Sequence, residues 1–468
     1  MLVPTRPRAR SRCVRTPGAD RGLGSVRSGI ERAVTASVPA SQIPEKSFAA
    51  LSFGAPGSRA PVNGILETTF RCNLRCVHCY VNEAPGDAAE IARELDTPRL
   101  LKLIDEIADQ GCFFLLMTGG EVFVRPDFAE VYLHAVNRGL LITLFSNGTL
   151  VTDRIADLLA EHPPLLVEIS IYGHTRATYE AVTRIPGSFE KCRAGIFKLM
   201  ERGVPVKLKT MALTLNQHEV ADMERFAREI GVTFRFDGFL NPRVDCGANR
   251  NGELQLTPAQ VVALDLEDPA RMEEFRKFCE RSCQPEEGAA AEFVYTCGAG
   301  ETSFTVDPYG NMQMCQLSRR HSYSLKEGGE FKEGWNDFFP KLRSRKWQHN
   351  DSCRKCNLMP LCGNCPGAAE METGDIEGMI PHFCEITHLR AHAVMGEGSG
   401  HRKDATCCLG HGKLAAEPEH TIDLSHPAGC GSCHSSVKAE VKSSEPLIQL
   451  QVRRAKPEPS PALPLRAV

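Results

Sequence analysis

Between residues 62 and 242 short apolar runs alternate with amphipathic stretches, the pattern of parallel strands joined by crossover helices. Six runs predict strands, over 64–70, 113–118, 141–146, 165–172, 206–212 and 233–239. The stretches between them carry helix end signals. Thr97 is expected to cap one helix with Pro98 at its first position; Leu100, Leu101, Ile104, Ile107 and Ala108 make its apolar face, and Gly111 stops it. Another is expected to open on Asn216 and Glu219 at capping-box spacing, to bury Val220, Met223, Phe226 and Ile230, and to stop at Gly231.

Six such units are fewer than the eight of a closed barrel, so a partial, open-sided barrel and an open doubly wound sheet both fit the count. The alternation within the strands favours the barrel. Glu168, Ser170 and Tyr172 share one face of the fourth strand, Lys207 and Lys209 one face of the fifth, Arg235 and Asp237 one face of the sixth. A parallel sheet covered by helices on both sides would bury those faces and make them apolar. A lumen that holds a charged ligand accounts for them; solvated edge strands are the plainer account.

Composition narrows the partners. Lys plus Arg number 55 against 58 Asp plus Glu in 468 residues, a balance that gives no reason to expect nucleic acid or an anionic membrane. No apolar run is long enough to span a bilayer. Twenty cysteines, with no apolar signal core at the start of the chain, point to metal in a reducing cytoplasm rather than disulfides. Residues 1–46, rich in Arg, Pro, Ser and Gly, are expected to be a disordered leader, and residues 397–468 a mostly disordered tail.

The chemistry is concentrated after the first strand. Cys72, Cys76 and Cys79 stand in Arg71-Cys72-Asn73-Leu74-Arg75-Cys76-Val77-His78-Cys79-Tyr80, three and then two residues apart. Three thiolates on one loop can hold three irons of a cubic 4Fe-4S cluster and leave the fourth iron open; a zinc site would need a fourth ligand, for which His78 is at hand. This spacing, with a ring residue before the last cysteine, resembles the radical SAM superfamily. The resemblance implies that S-adenosylmethionine chelates the open iron and is reductively cleaved to a 5′-deoxyadenosyl radical, with an electron donor such as flavodoxin or ferredoxin. Thr118-Gly119-Gly120-Glu121 resembles the family's GGE motif, which implies that Gly119, Gly120 and Glu121 face the methionine amine. Ser146, Asn147, Ser170 and Tyr172, at later strand ends, would contact ribose and carboxylate by the same resemblance, and His78 the adenine. The family's glycine-rich motif after the fifth strand is absent.

A second cysteine group follows a connection over 243–292. Cys297 is followed by twelve residues, Gly310, four more and Cys315; then come Cys353, Cys356, Cys362, Cys365 and Cys384. Asp307-Pro308-Tyr309-Gly310 predicts a hairpin that brings Cys297 and Cys315 together. Residues 293–392 resemble the SPASM extension of radical SAM peptide-modifying enzymes, which implies two auxiliary 4Fe-4S clusters: an outer one on Cys353, Cys356, Cys362 and Cys384, and an inner one on Cys297, Cys315 and Cys365. Only Gly363 and Asn364 separate Cys362 from Cys365, one residue fewer than the family pattern. Cys246, Cys279 and Cys283 are candidates for a fourth inner ligand, or that position is open. In the tail, Cys407, Cys408, His411, Cys430, Cys433 and His434 are expected to capture extra metal or to be inert thiols.

The expected fold is therefore α/β, a partial (β/α)6 barrel over 62–242 followed by a small Cys-rich α+β SPASM domain. The expected function is maturation of a ribosomally made peptide, by thioether or carbon crosslinking, aided by a separate leader-recognition protein. Maturation of a protein side chain or of a small-molecule cofactor precursor is the second reading, and an iron–sulfur carrier the third. Asp237 is the candidate general base.

Overall fold

Apolar residues in alternate positions decide the layering. Leu66, Met117, Leu144 and Val167 lie side by side across four strands, Ile169 and Leu208 across the next pair, and all six are buried in one core. Each such side chain taken from water stabilises the layer by roughly 1.5–3 kcal/mol. The computed structural model describes residues 59–81, 83–244, 251–282, 292–326, 328–356 and 358–395. The leader, the tail, Cys246, Cys283, Cys407, Cys408, His411, Cys430, Cys433, His434 and the side chain of Cys279 lie outside them.

All six expected strands are present: β1 (Asn63–Thr69), β2 (Phe114–Gly119), β3 (Leu141–Ser146), β4 (Leu166–Ser170), β5 (Val206–Met211) and β6 (Thr233–Asp237). They pair in parallel and in chain order. Helices α1 (Thr97–Asp109), α2 (Phe128–Asn137), α3 (Asp153–Glu161), α4 (Arg176–Thr183), α5 (Ser188–Glu201) and α6 (Val220–Glu229) cover the apolar face. No helix among the described residues is long and apolar enough to cross a membrane.

Two helix starts differ from expectation. Asp96, not Thr97, caps α1 by accepting from the Arg99 N–H at 2.9 Å, and the Thr97 hydroxyl turns to Asp127 at 2.6 Å. Asn216 and Glu219 form no capping box. Asn216 folds back on Leu213, Tyr172 and Met211, while the Glu219 carboxylate accepts from the His174 and Thr175 backbone and from both Thr175 and Thr178 hydroxyls. It is the start of α4, not of α6, that Glu219 serves.

The sheet does not end at β1. β7 (Ser303–Val306) pairs with β1 in parallel, and β8 (Asn311–Gln313) and β9 (Tyr323–Ser324) follow antiparallel, giving nine strands in the order β6-β5-β4-β3-β2-β1-β7-β8-β9. Gly64 makes the junction possible, since a Cβ there would lie 2.5 Å from the Phe304 ring. The predicted hairpin is the β7–β8 turn, where Asp307 accepts from the Tyr309 and Asn311 N–H groups at 2.9 Å each.

The chain then crosses to the other end of the sheet. α7 (Pro258–Leu266) and α8 (Pro269–Ser282) follow β6, and after α9 (Pro366–Thr373) the last helix, α10 (Pro381–Met395), packs on both of them. Buried Asp265 ties this corner, pairing with Arg271 and Arg390 at 2.7 Å each. The cysteine-rich segment thus touches both ends of the six-stranded unit.

Candidate functional site

The three-cysteine loop leaves the C-terminal end of β1 and is gripped from three sides. Cys72 N–H bonds to Glu83 O, and Arg75 and Val77 bond to the last carbonyls of α4, Thr183 and Val182, at 3.0 Å each. Arg184, just past that helix end, is the non-glycine residue with positive φ, 60°, among the described residues, so the chain is turned sharply beside the loop. The third grip is the turn after β2. Gly119 sits at φ 126°, and a Cβ there or on Gly120 would lie 2.1 Å from Thr69 O or 2.3 Å from Arg71 O. Only glycines let that turn lie against the strand that carries the cysteines.

Glu121 is fully buried, and its carboxylate is already engaged. It accepts from Ser146 Oγ at 2.9 Å, Asn147 N at 2.7 Å and Phe123 N at 3.3 Å. Burial pushes its pKa up to about 7 against those bonds. Through these bonds the carboxylate holds the β3 end in place. Asn147, so held, points its amide at Asn73 Oδ1 (3.0 Å) and at the Cys72 sulfur (3.7 Å), which also accepts from Leu74 N–H at 3.4 Å.

Burial pushes the Cys72 pKa up to about 12 and that of Cys76 well above the ordinary range; Glu121 and Cys79 add to the shift of Cys72, and Cys79 and Cys72 to that of Cys76. Such buried thiols become thiolates only when a metal supplies the opposing charge. Among the described residues no three His, Cys, Asp or Glu side chains converge on a point that could hold a single ion. Three thiols carried on one loop are a donor set that can hold three irons of a 4Fe-4S cluster. His78 does not complete a fourth ligand position; its ring stands edge-on to Tyr172 at 4.9 Å, and burial lowers its pKa to about 4, so the imidazole is neutral. Tyr172 lies within hydrogen-bonding reach of Ser170 and Cys76. Ser146, Asn147, Ser170, Tyr172 and His78 are thus gathered around the loop.

The polar faces expected to line a lumen do lie opposite the helices. Glu168 meets Arg235 at 2.7 Å, Lys209 at 3.5 Å and Lys207 at 3.9 Å, three cations around one carboxylate. The Lys209 ammonium also lies on the Phe145 ring, and burial holds its pKa well below the lysine range. Asp237 ends β6 on this face and accepts from Phe239 N–H at 2.9 Å.

Seven further cysteines form two groups. Cys353, Cys356, Cys362 and Cys384 line one cavity, together with His388 and Met359. Burial raises the pKa of Cys315 and of Cys365; Cys365 and Cys297 lie close enough to raise Cys315 further, and Cys297 and Cys362 do the same to Cys365. Cys365 caps α9, and its sulfur accepts from Ala368 N–H at 3.4 Å, a bond that lowers its pKa against the larger, raising effect of burial. Cys112 and Cys192 are buried in the main core.

One inner-face group escaped the sequence reading. Glu67 of β1 is fully buried, and its Oε1 accepts from Arg319 at 2.8 Å, Gln316 at 3.1 Å and the Tyr80 hydroxyl at 3.4 Å. Its position two residues before the end of a strand with apolar neighbours was the available signal.

A sequence profile described as the Radical SAM superfamily matches residues 66–230. The AdoMet-dependent heme synthase of Methanosarcina barkeri is 28% identical over 332 residues, 66% of this chain and 92% of that one. Mycofactocin maturase MftC of Mycobacterium ulcerans is 29% identical over 68% of this chain and 86% of its own. The antilisterial bacteriocin subtilosin biosynthesis protein AlbA of Bacillus subtilis is 25% identical over 65% and 67%. Among solved structures, Streptococcus suis SuiB superposes with a TM-score of 0.53 at 14% identity, covering 69% of this chain and 76% of that one. The corresponding values for anSMEcpe with bound AdoMet are 0.55, 14%, 72% and 98%.

Proposed function

The chain is an enzyme of the radical SAM superfamily, and from that premise we propose that it matures a peptide, with Cys72, Cys76 and Cys79 holding a 4Fe-4S cluster at which S-adenosylmethionine binds. When bound, the cluster and S-adenosylmethionine supply one-electron cleavage and hydrogen abstraction. The protein's part is to hold and dry the site. Glu121 sets the Ser146-Asn147 turn, Asn147 and Leu74 donate to the Cys72 sulfur, and Tyr172 closes over Cys76. Gly119, Gly120, Glu121, Ser146, Asn147, Ser170, Tyr172 and His78 are the residues we assign to S-adenosylmethionine.

The single observation that carries the peptide reading is the second cysteine module built onto the same sheet as the first loop. Its two cysteine groups support an outer auxiliary cluster on Cys353, Cys356, Cys362 and Cys384 and an inner one on Cys297, Cys315 and Cys365. Two relatives by sequence, AlbA and MftC, are named for peptide products, and SuiB has been solved with a precursor peptide bound. A separate leader-recognition protein and a flavodoxin or ferredoxin would complete the system. The test is anaerobic reconstitution with iron and sulfide, then reduction with S-adenosylmethionine and the short peptides encoded beside this reading frame. Loss of hydrogen mass from one peptide, with 5′-deoxyadenosine formed, supports the reading; a carrier would form no 5′-deoxyadenosine.

A second reading has its own observation. Lys207, Lys209 and Arg235, gathered around Glu168 on the inner face, offer basic groups that suit a substrate bearing carboxylates. The Methanosarcina relative is named a heme synthase, and haem itself carries carboxylate side chains.

A further inference from the structure

Glu67 lies where the two cysteine loops meet. Tyr80, whose hydroxyl reaches Glu67 Oε1, directly follows Cys79; Gln316, whose amide reaches the same oxygen, directly follows Cys315. Gln316 Nε2 also donates to the Tyr80 hydroxyl at 3.4 Å, so the three side chains close a ring across 236 residues of sequence. Arg319 completes it, paired with Glu67 at 2.8 Å and standing 5.5 Å over Phe70, which is two residues before Cys72. Glu67 Oε2 and Arg319 Nε, both buried, have no hydrogen-bond partner among the described residues. A buried carboxylate held through one oxygen is tolerated only where its surroundings keep the charge neutralised. Here the neutralising cation comes entirely from the second module.

We propose that Glu67 is a positioning residue that couples the two cysteine loops, so that the placement of the loop after β1 depends on the loop after β8. Neither loop can shift alone without stretching a bond to this carboxylate, and Glu67, on a strand bonded on both sides, cannot follow. The Tyr80 ring transmits a displacement of Gln316 to the residue beside Cys79. The function implied for the second module is to set the geometry of the first site, apart from anything its own metals do. The inference rests on the radical SAM reading only where S-adenosylmethionine is used as the probe.

The test is a double-mutant cycle with Tyr80→Phe and Gln316→Ala in the full chain, since Glu67→Gln disturbs a buried ion pair and can fail to fold. In the metal-free protein, Gln316→Ala is expected to speed amide exchange at Arg75 and Val77, although it removes nothing from their loop. In the reconstituted protein it is expected to weaken S-adenosylmethionine binding about tenfold, equivalent to ~1.4 kcal/mol, and to change the paramagnetic resonance spectrum of the first site. The double variant should be no worse than the worse single one. Unchanged exchange at Arg75 and Val77 in Gln316→Ala, or strictly additive effects, would overturn the coupling. If even the parent protein fails to bind S-adenosylmethionine while exchange still responds to Gln316→Ala, the functional assignment falls and the coupling stands.

Discussion

Arg71, the residue before Cys72, is held by both carboxylate oxygens of Glu94, with Nε and NH2 each at 2.9 Å from one of them. The pair is buried, and Glu94 also takes Arg125 at 3.2 Å and the Thr69 hydroxyl. One acidic side chain therefore anchors the root of the cysteine loop. Glu94→Ala would leave the buried Arg71 guanidinium without a carboxylate, while Arg125 keeps Asp127 at 2.7 Å, and breaking a buried pair in this way costs about 3–5 kcal/mol. Denaturant melts should show that loss, with reduced iron uptake in parallel; a fall of under 1 kcal/mol would mean that the loop is held elsewhere.

Replacing Cys72, Cys76 and Cys79 with Ala should abolish reductive cleavage, measured as 5′-deoxyadenosine released after anaerobic reduction. Each thiol is one of three, and the remaining two cannot hold the cubane on this loop. Cleavage that survives the triple replacement would refute the site.

Cys353→Ala with Cys356→Ala should lower the iron bound per chain while some cleavage without product continues, because these thiols line a separate cavity. Iron content equal to that of the parent would remove this cavity from the set of metal sites.

Glu219 predicts a pH dependence. Burial raises its pKa, but hydrogen bonds from the Thr178 and Thr175 hydroxyls and from the Thr175 and His174 backbone outweigh that and hold it below the ordinary 4.5. The folded state thus gives up this proton more readily than the unfolded chain. The stabilisation is complete above pH 4.5 and is lost as pH falls through the lower folded value. Charge-assisted bonds of this kind are worth about 2 kcal/mol, so Glu219→Gln should be that much less stable at pH 7 and nearly equal to the parent at the acid end. A gap that does not narrow with acid would contradict the assignment.

Much of this was legible in the chain itself. The six parallel strands announced themselves because each carries Leu, Ile, Val, Met or Phe on the side that meets the helix layer, a pattern that survives any detail of packing. The polar residues opposite, Glu168, Lys209 and Arg235, marked the inner face for the same reason. What escaped depended on distant partners. β7 is four residues long, and nothing in Ser303–Val306 says that it pairs with β1 rather than standing apart. Glu219 satisfies the spacing of a local cap, yet its donors lie 41 to 45 residues away. Glu67 finds its cation 252 residues downstream. Local spacing gives no information on such closures, nor on the bonds by which Glu121 holds Ser146 and Asn147.

The notch over Gly64, filled by the Phe304 ring, governs how this protein can be dissected. A fragment ending after β6 would bare the outer row of peptide groups on β1 and a hole shaped for an aromatic side chain, which together invite a foreign strand. Expression of the first unit alone is then a route to aggregates rather than to a minimal enzyme. Exchange of modules between relatives succeeds only where the graft brings its own strand with a ring to seat there.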